Sequence, residues 1–253
     1  MSKTHDFPTQ VIELPSKGLV YPKDNPLSSG QIELKYMTAR EEEILSSQNL
    51  IKKGVVLDKL FESIIVDKDI NPDDIILGDK NAIMLATRIL GYGSEYKIEI
   101  TDDFGDIQEV VVDLSQVKTK DINFDLLKSD NKYEFVTPTT KNKIEFKILT
   151  HGDEKAIDKD VRALQKINKG GVSQELTTRY RYMIQSVDGD DTTKHIVDFI
   201  NNRFLTKDTR EFRNYIKSIT PDVNMEFEYE NPDTGETEVK PIPMGVNFFW
   251  PSE

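Results

Sequence analysis

The chain has 253 residues, with 33 basic and 45 acidic side chains, a net charge of −12 and no cysteine. Disulfides and thiolate metal sites are thereby excluded, and long-range repulsion argues against phosphate backbones and anionic membranes as partners. A hydrophobic content of 37% supports one large core or two modest ones, and no apolar run approaches the roughly 20 residues of a bilayer span.

Residues 1–30 read as an N-terminal arm. Its first ten residues lack the apolar centre of a signal peptide, so a soluble, cytoplasmic product is expected. Within the arm, Val11–Tyr21 (VIELPSKGLVY) alternates into an apolar stretch interrupted by Pro15 and Gly18. Proline removes a backbone donor, so an edge strand or an extended arm is expected, packed on its own domain or along another subunit.

Ile32–Met37 alternates as a strand does and runs into Thr38-Ala39-Arg40-Glu41, a capping-box pattern. A helix to about Lys52 should follow. Val55–Val66 reads as a second helix, with Val56, Leu57, Leu60, Phe61, Ile64 and Ile65 on one wide apolar stripe. Beyond Pro72, Asp79 is the expected N-cap of a third helix that stops at Gly91. Gly91–Leu114 then predicts a strand, a tight turn at Asp103-Phe104-Gly105-Asp106 and a second strand.

Residues 115–131 are polar and weakly patterned, the best linker in the chain. Lys132–Thr137 and Lys143–Leu149 read as strands. Helices are expected over Asp153–Ile167, with Ile157, Val161 and Leu164 on one face, and from Ser173, with Leu176, Tyr180, Met183, Ile184 and Val187 at helical spacing. Thr193–Phe204 and Asp208–Ile219 complete the set, and Pro221 stops the last. Met225–Met244 is a second hairpin, with Gly235 in its turn. Residues 245–253 form an aromatic tail.

The stretch Ile32–Thr38 resembles Ile144–Thr150, 112 residues further on (144 − 32). Each is followed by an acidic helix start, and each half closes on a hairpin. The expected fold is α+β: two similar modules, 31–114 and 132–244, each a strand, several helices and a β-hairpin.

No residue set carries a catalytic, cofactor or metal signature. Asp67-Lys-Asp69-Ile-Asn71 begins like a calcium loop, but Pro72 and Gly78 stand where glycine and a bidentate glutamate belong. Asp102, Asp103 and Asp106 suit a hairpin turn better than paired acid–base work. His5, His151 and His195 are isolated, and no phosphate loop, serine elbow or HExxH occurs. The chain ends stand out instead. Apolar residues of the arm (Val11, Ile12, Leu14, Leu19, Val20, Tyr21) and of the tail (Phe248, Phe249, Trp250) are the candidate partner-binding residues. Aromatics at a chain end must bury themselves or meet another protein.

LPSKGLVYP (Leu14–Pro22), TAREEEIL (Thr38–Leu45), GYGSEY (Gly91–Tyr96) and NFFWP (Asn247–Pro251) together resemble the T4-type bacteriophage baseplate hub protein family. The resemblance implies a non-enzymatic protein that helps build the central hub of a contractile tail, as a subunit or as a chaperone-like assembly factor. Its implied partners are other tail and baseplate hub proteins, without nucleic acid or membrane insertion, and self-association stays open. It would act in the host cytoplasm during assembly, or remain in the virion. The two hairpins look like zinc-ribbon knuckles, but Thr101–Gly105 and Asn231–Gly235 offer no cysteines, so no metal is implied. Two alternatives stand beside this reading: a tail-associated hydrolase of cell-wall glycan, which needs two carboxylates in a cleft, and an unrelated acidic adaptor.

Overall fold

The computed structural model describes residues 7–101, 107–167, 173–231, 235–244 and 246–249. Strand β1 (Thr9–Glu13) pairs antiparallel with β2 (Gln31–Lys35), placing Ile12 opposite Ile32. Between them the chain turns at Pro15 and again through a 3-10 turn, Pro26–Ser29, sinking Leu14, Val20, Tyr21 and Leu27 into the core.

The capping box closes where the sequence puts it. α1 (Ala39–Ser46) starts after Thr38, whose N–H donates to the Glu41 carboxylate at 2.8 Å. The single helix expected to about Lys52 is two, because Ser47 adopts an extended backbone and starts α2 (Gln48–Lys53) in a new direction. α3 (Val56–Ile64) buries Val56, Leu60, Phe61 and Ile64, and Ile65 then bridges back to Leu34 of β2.

α4 (Leu77–Tyr92) corrects the expected cap: Ile76 is the extended N-cap residue, and Asp79 sits inside the first turn. The helix runs past Gly91 to Gly93, whose φ of 82° suits a residue without a side chain. β3 (Glu95–Thr101) and β4 (Ile107–Asp113) form the first hairpin, with Glu95 opposite Asp113. Its turn, with Asp102, Asp103, Phe104, Gly105 and Asp106, lies outside the described residues.

The stretch read as a linker is tied to the C-terminal part of the chain. The Lys120 N–H donates to the Asp222 carbonyl and the Asn224 N–H to the Lys118 carbonyl, both at 2.8 Å. β5 (Tyr133–Val136), β6 (Lys143–Phe146) and α5 (His151–Ile167) follow, then α6 (Glu175–Met183).

Here the helical reading through Val187 is overturned. Ile184–Val187 is strand β7, antiparallel to β6 with Phe146 opposite Ile184 and Ile144 opposite Val187. A short apolar run fits either period, and the open edge of β6 decides by satisfying the run's backbone groups. Asp188 and Gly189, with φ of 53° and 84°, then turn the chain tightly. α7 (Thr193–Asp198), a π-helical turn at Phe199–Arg203, α8 (Thr206–Ile219), and the hairpin β8 (Glu226–Glu230) and β9 (Thr237–Pro241) complete the regular elements. Val246–Phe249 is a closing 3-10 turn.

The protein is thus a mixed α+β structure of helices and small antiparallel sheets: β1-β2, β3-β4, β5-β6-β7 and β8-β9. One hydrophobic core runs from Leu14 to Phe249. Ile76 bridges Thr150, and the His151 N–H donates to the Ile75 carbonyl at 2.7 Å. Gly78 lies so close to the Pro221 carbonyl that a Cβ there would stand 1.7 Å from its oxygen, a contact that admits only hydrogen. The two hairpins meet where the Tyr229 hydroxyl donates to Gln108 at 2.7 Å.

Candidate partner-binding surfaces

The N-terminal arm is held by a buried carboxylate. Asp79 accepts the Ser16 N–H at 2.9 Å, the Ser16 hydroxyl at 2.6 Å and the Tyr21 hydroxyl at 2.7 Å. Tyr21 in turn accepts the Ile76 N–H at 3.1 Å. Burial pushes the Asp79 carboxyl up, although the Ser16 and Tyr21 donors pull the other way. The same burial, with the adjacent Asp79 charge, raises the Tyr21 phenol. Nothing in the sequence links Ser16 to Asp79, because tertiary packing alone brings them together.

This packing divides the arm's candidate residues into two groups. Leu14, Val20 and Tyr21 are core residues and present no surface to a partner. Ile12 is half-buried, whereas Val11 (51% exposed) and Leu19 (43% exposed) face outward. The tail takes the first of its two expected outcomes within this chain. Phe248 and Phe249 are buried, with the Phe248 ring edge-on to Tyr96 at 5.2 Å and to Phe249 at 5.5 Å. Packing against Tyr96 meets the need for burial within the chain itself. Trp250 lies outside the described residues.

A second carboxylate does comparable work in the other half. Asp208, in the first turn of α8, accepts the N–H groups of Thr139 and Thr140 at 2.7 and 3.2 Å and the Thr140 hydroxyl at 3.0 Å. Burial pushes its carboxyl up, but these donors win and hold it below the usual range.

Two helix starts that follow a strand, those of α1 and α5, share a further pattern. Glu41 binds Lys35 at 2.7 Å and the Thr38 N–H, while Asp153 binds Lys147 at 2.7 Å and the Thr150 N–H at 3.0 Å. Glu41 is the more enclosed and also accepts from Ser63 at 2.6 Å. Burial opposes its charge, yet Lys35, Ser63 and Thr38 lower its pKa to about 2.

Of the two histidines described, His195 pairs with Asp190, at 3.5 Å, whereas His151 belongs to a group of three potential metal ligands. It lies with Asp58 and Asp73, their ligand atoms all within 4.8 Å of one another. Its Nε2 is 2.7 Å from the Asp58 carboxylate, and burial lowers its pKa, which favours the neutral ring. The position for a cation is already served by this chain. The Lys155 ammonium stands 3.3 Å from Asp58 and 2.8 Å from Asp73. Burial alone would lower the Lys155 pKa, but these two carboxylates raise it.

This cluster stands at one end of a cleft between α2–α3 and α5. An apolar pocket of about 350 Å³ is lined by Leu45, Ile51, Leu57, Met84, Met244 and Phe249, among others. It shares Gly54, Lys155, Asp158 and Arg162 with a groove of about 660 Å³. No described helix is long and apolar enough to cross a membrane.

These surfaces, an exposed arm edge and an open cleft on a scaffold whose buried carboxylates serve internal packing, suit a protein that binds other proteins. The family model for T4 bacteriophage base plate proteins matches residues 11–250. The chain belongs to that family of phage baseplate proteins, and its setting is therefore the virion tail. No curated protein and no solved structure matches it.

Proposed function

We propose that the chain is a non-enzymatic structural or chaperone-like protein of the baseplate's central hub, with other tail and hub proteins as its partners. The observation that carries this reading is the family match across residues 11–250, joined to the internal use of the polar clusters. Asp79 is fully buried, and Ser16 and Tyr21 enclose it. A glycan hydrolase would need two carboxylates opening on a cleft, and of the two that line the groove along α5, Asp58 is already engaged by His151 and Lys155.

We further propose that the scaffold is a duplicated α+β module. Lys35, Thr38 and Glu41 correspond to Lys147, Thr150 and Asp153 at one constant shift, with the same bonds in each set. Asp79 and Asp208 both sit third in their helices and reach the connection between an antiparallel pair, β1–β2 or β5–β6. The Leu34–Ile65 bridge has its counterpart in the pairing of β6 with β7.

Partner contact by the arm falls to Val11 and Leu19, the exposed ones among its six candidate residues. The test is co-expression with the other hub proteins of the same phage and isolation of the complex. Wild-type chain should co-purify, and Val11→Asp with Leu19→Asp should release the partner while leaving the melting temperature unchanged. Failure of the wild-type chain to bind any hub protein, or clearing of a peptidoglycan suspension by the pure protein, would overturn the reading.

A further inference from the structure

In a chain of net charge −12, the groove along α5 concentrates positive charge. Lys155, Lys159, Arg162 and Lys166 fall at i, i+4, i+7 and i+11, one stripe of the helix, while Ile157 and Val161 turn inward from another. Lys53, at the end of α2, lines the same groove. Lys155 is engaged by Asp58 and Asp73, but Lys53, Lys159, Arg162 and Lys166 form no ion pair with any described residue. The Arg162 guanidinium lies against Gly54, whose absent side chain leaves it room: a Cβ there would stand 3.2 Å from Nη2. Two carboxylates line the groove as well, Asp58, already paired, and Asp158.

We propose that this groove seats an acidic segment of another baseplate polypeptide, with one bulky apolar side chain entering the adjoining pocket. Three features select that occupant. The cationic stripe spans about 16 Å at 1.5 Å per residue, the length of three turns of helix. Its neighbouring pocket is mostly apolar, although Asp158 and Glu154, the latter paired with Lys80, also line it, and it has room for an aromatic or long aliphatic side chain. An acidic segment would also replace the unpaired state of four cations by charge-assisted contacts, in an otherwise repulsive field that rejects other acidic surfaces.

Nucleic acid fits less well. No aromatic ring lines the cationic groove for bases to stack on. The chemistry of the segment follows from the groove itself; that the segment belongs to a baseplate protein rests on the proposed function above.

The test uses the full chain and a labelled synthetic helical peptide of about four turns, with glutamates on one stripe and a single phenylalanine beside them. Fluorescence anisotropy should show binding that weakens at least about tenfold in the K159E/R162E/K166E variant and falls with added salt. Phenylalanine to serine in the peptide should cost roughly tenfold, and a lysine-for-glutamate peptide should not bind. Lys53→Glu, on a different helix, is the second variant and should weaken binding severalfold, so a folding defect in the triple variant leaves the test intact.

The proposal is overturned if the acidic peptide does not bind, if the folded variants bind it as the wild type does, or if an oligothymidine of similar length binds more tightly. A parallel co-expression with hub proteins separates the two readings. A complex formed equally by wild type and the charge-reversal variants sinks the groove alone, while a bound peptide with no wild-type complex sinks the baseplate partnership alone.

Discussion

Asp79 and Asp208 do the same task in two helices and titrate in opposite directions. Each is the third residue of its helix, at the end where the dipole favours negative charge, and each ties down a connection between two antiparallel strands. Asp79 depends on two hydroxyls and one N–H and has Asp222 close enough to add repulsion; burial dominates and raises its pKa. Asp208 collects two backbone N–H groups and a hydroxyl, and these outweigh burial. Identical placement therefore does not set the charge state. The balance of desolvation against donors does.

The sharpest way to break this comparison is to delete the first carboxylate. Asp79→Ala leaves the Ser16 N–H, its hydroxyl and the Tyr21 hydroxyl buried without an acceptor, and should cost about 4 kcal/mol in denaturant unfolding. The amides of residues 14–21 should lose hydrogen-exchange protection first.

Glu41 extends the contrast to pH. Its pKa is lowered to about 2 in the folded chain, so the stability it supplies is complete above the unfolded value near 4.5 and is lost as pH falls towards 2. That loss is on the order of 3 kcal/mol, and Glu41→Gln should flatten the wild-type slope across that window. Asp79 acts with the opposite sign. Its raised pKa means that protonation favours the folded state, a contribution present at low pH and lost as pH rises through the folded value.

Asp208→Ala should cost less than Asp79→Ala, about 2 kcal/mol, since water can reach part of the Thr139–Thr140 turn. A cost above that of Asp79→Ala in the same unfolding titration would refute the ranking by burial. The smallest effect belongs to Asp153→Ala, about 1 kcal/mol by thermal melting, a loss typical of a helix-start contact that is only partly enclosed.

Legibility followed the range of the interaction. The capping box at Thr38–Glu41, the strands at Gln31–Lys35 and Tyr133–Val136, and the apolar stripe of α3 are local patterns, and a linear reading finds them. Ile184–Val187 was misread as helix because four residues cannot choose between periods without seeing the strand beside them. The cationic stripe of α5 was present at i, i+4, i+7 and i+11, yet it acquires meaning only once Lys53 and the apolar pocket stand next to it. Phe248 and Phe249 stand out in the sequence as aromatics that must bury themselves or meet another protein, but composition cannot say which, and in the structure both are buried, Phe248 against Tyr96.

By itself the sequence determined an acidic, cysteine-free α+β chain and its main helices and hairpins, because these rest on composition and short-range spacing, while its likeness to a baseplate family is a resemblance carried by a few short motifs. Only the tertiary structure decided which chain-end residues are core and which face outward. It also joined Ser16 to Asp79 and Thr139 to Asp208, and it set the two carboxylates' opposite shifts. Those outcomes depend on desolvation and on donors many residues away, and both exist only once the chain has closed on itself.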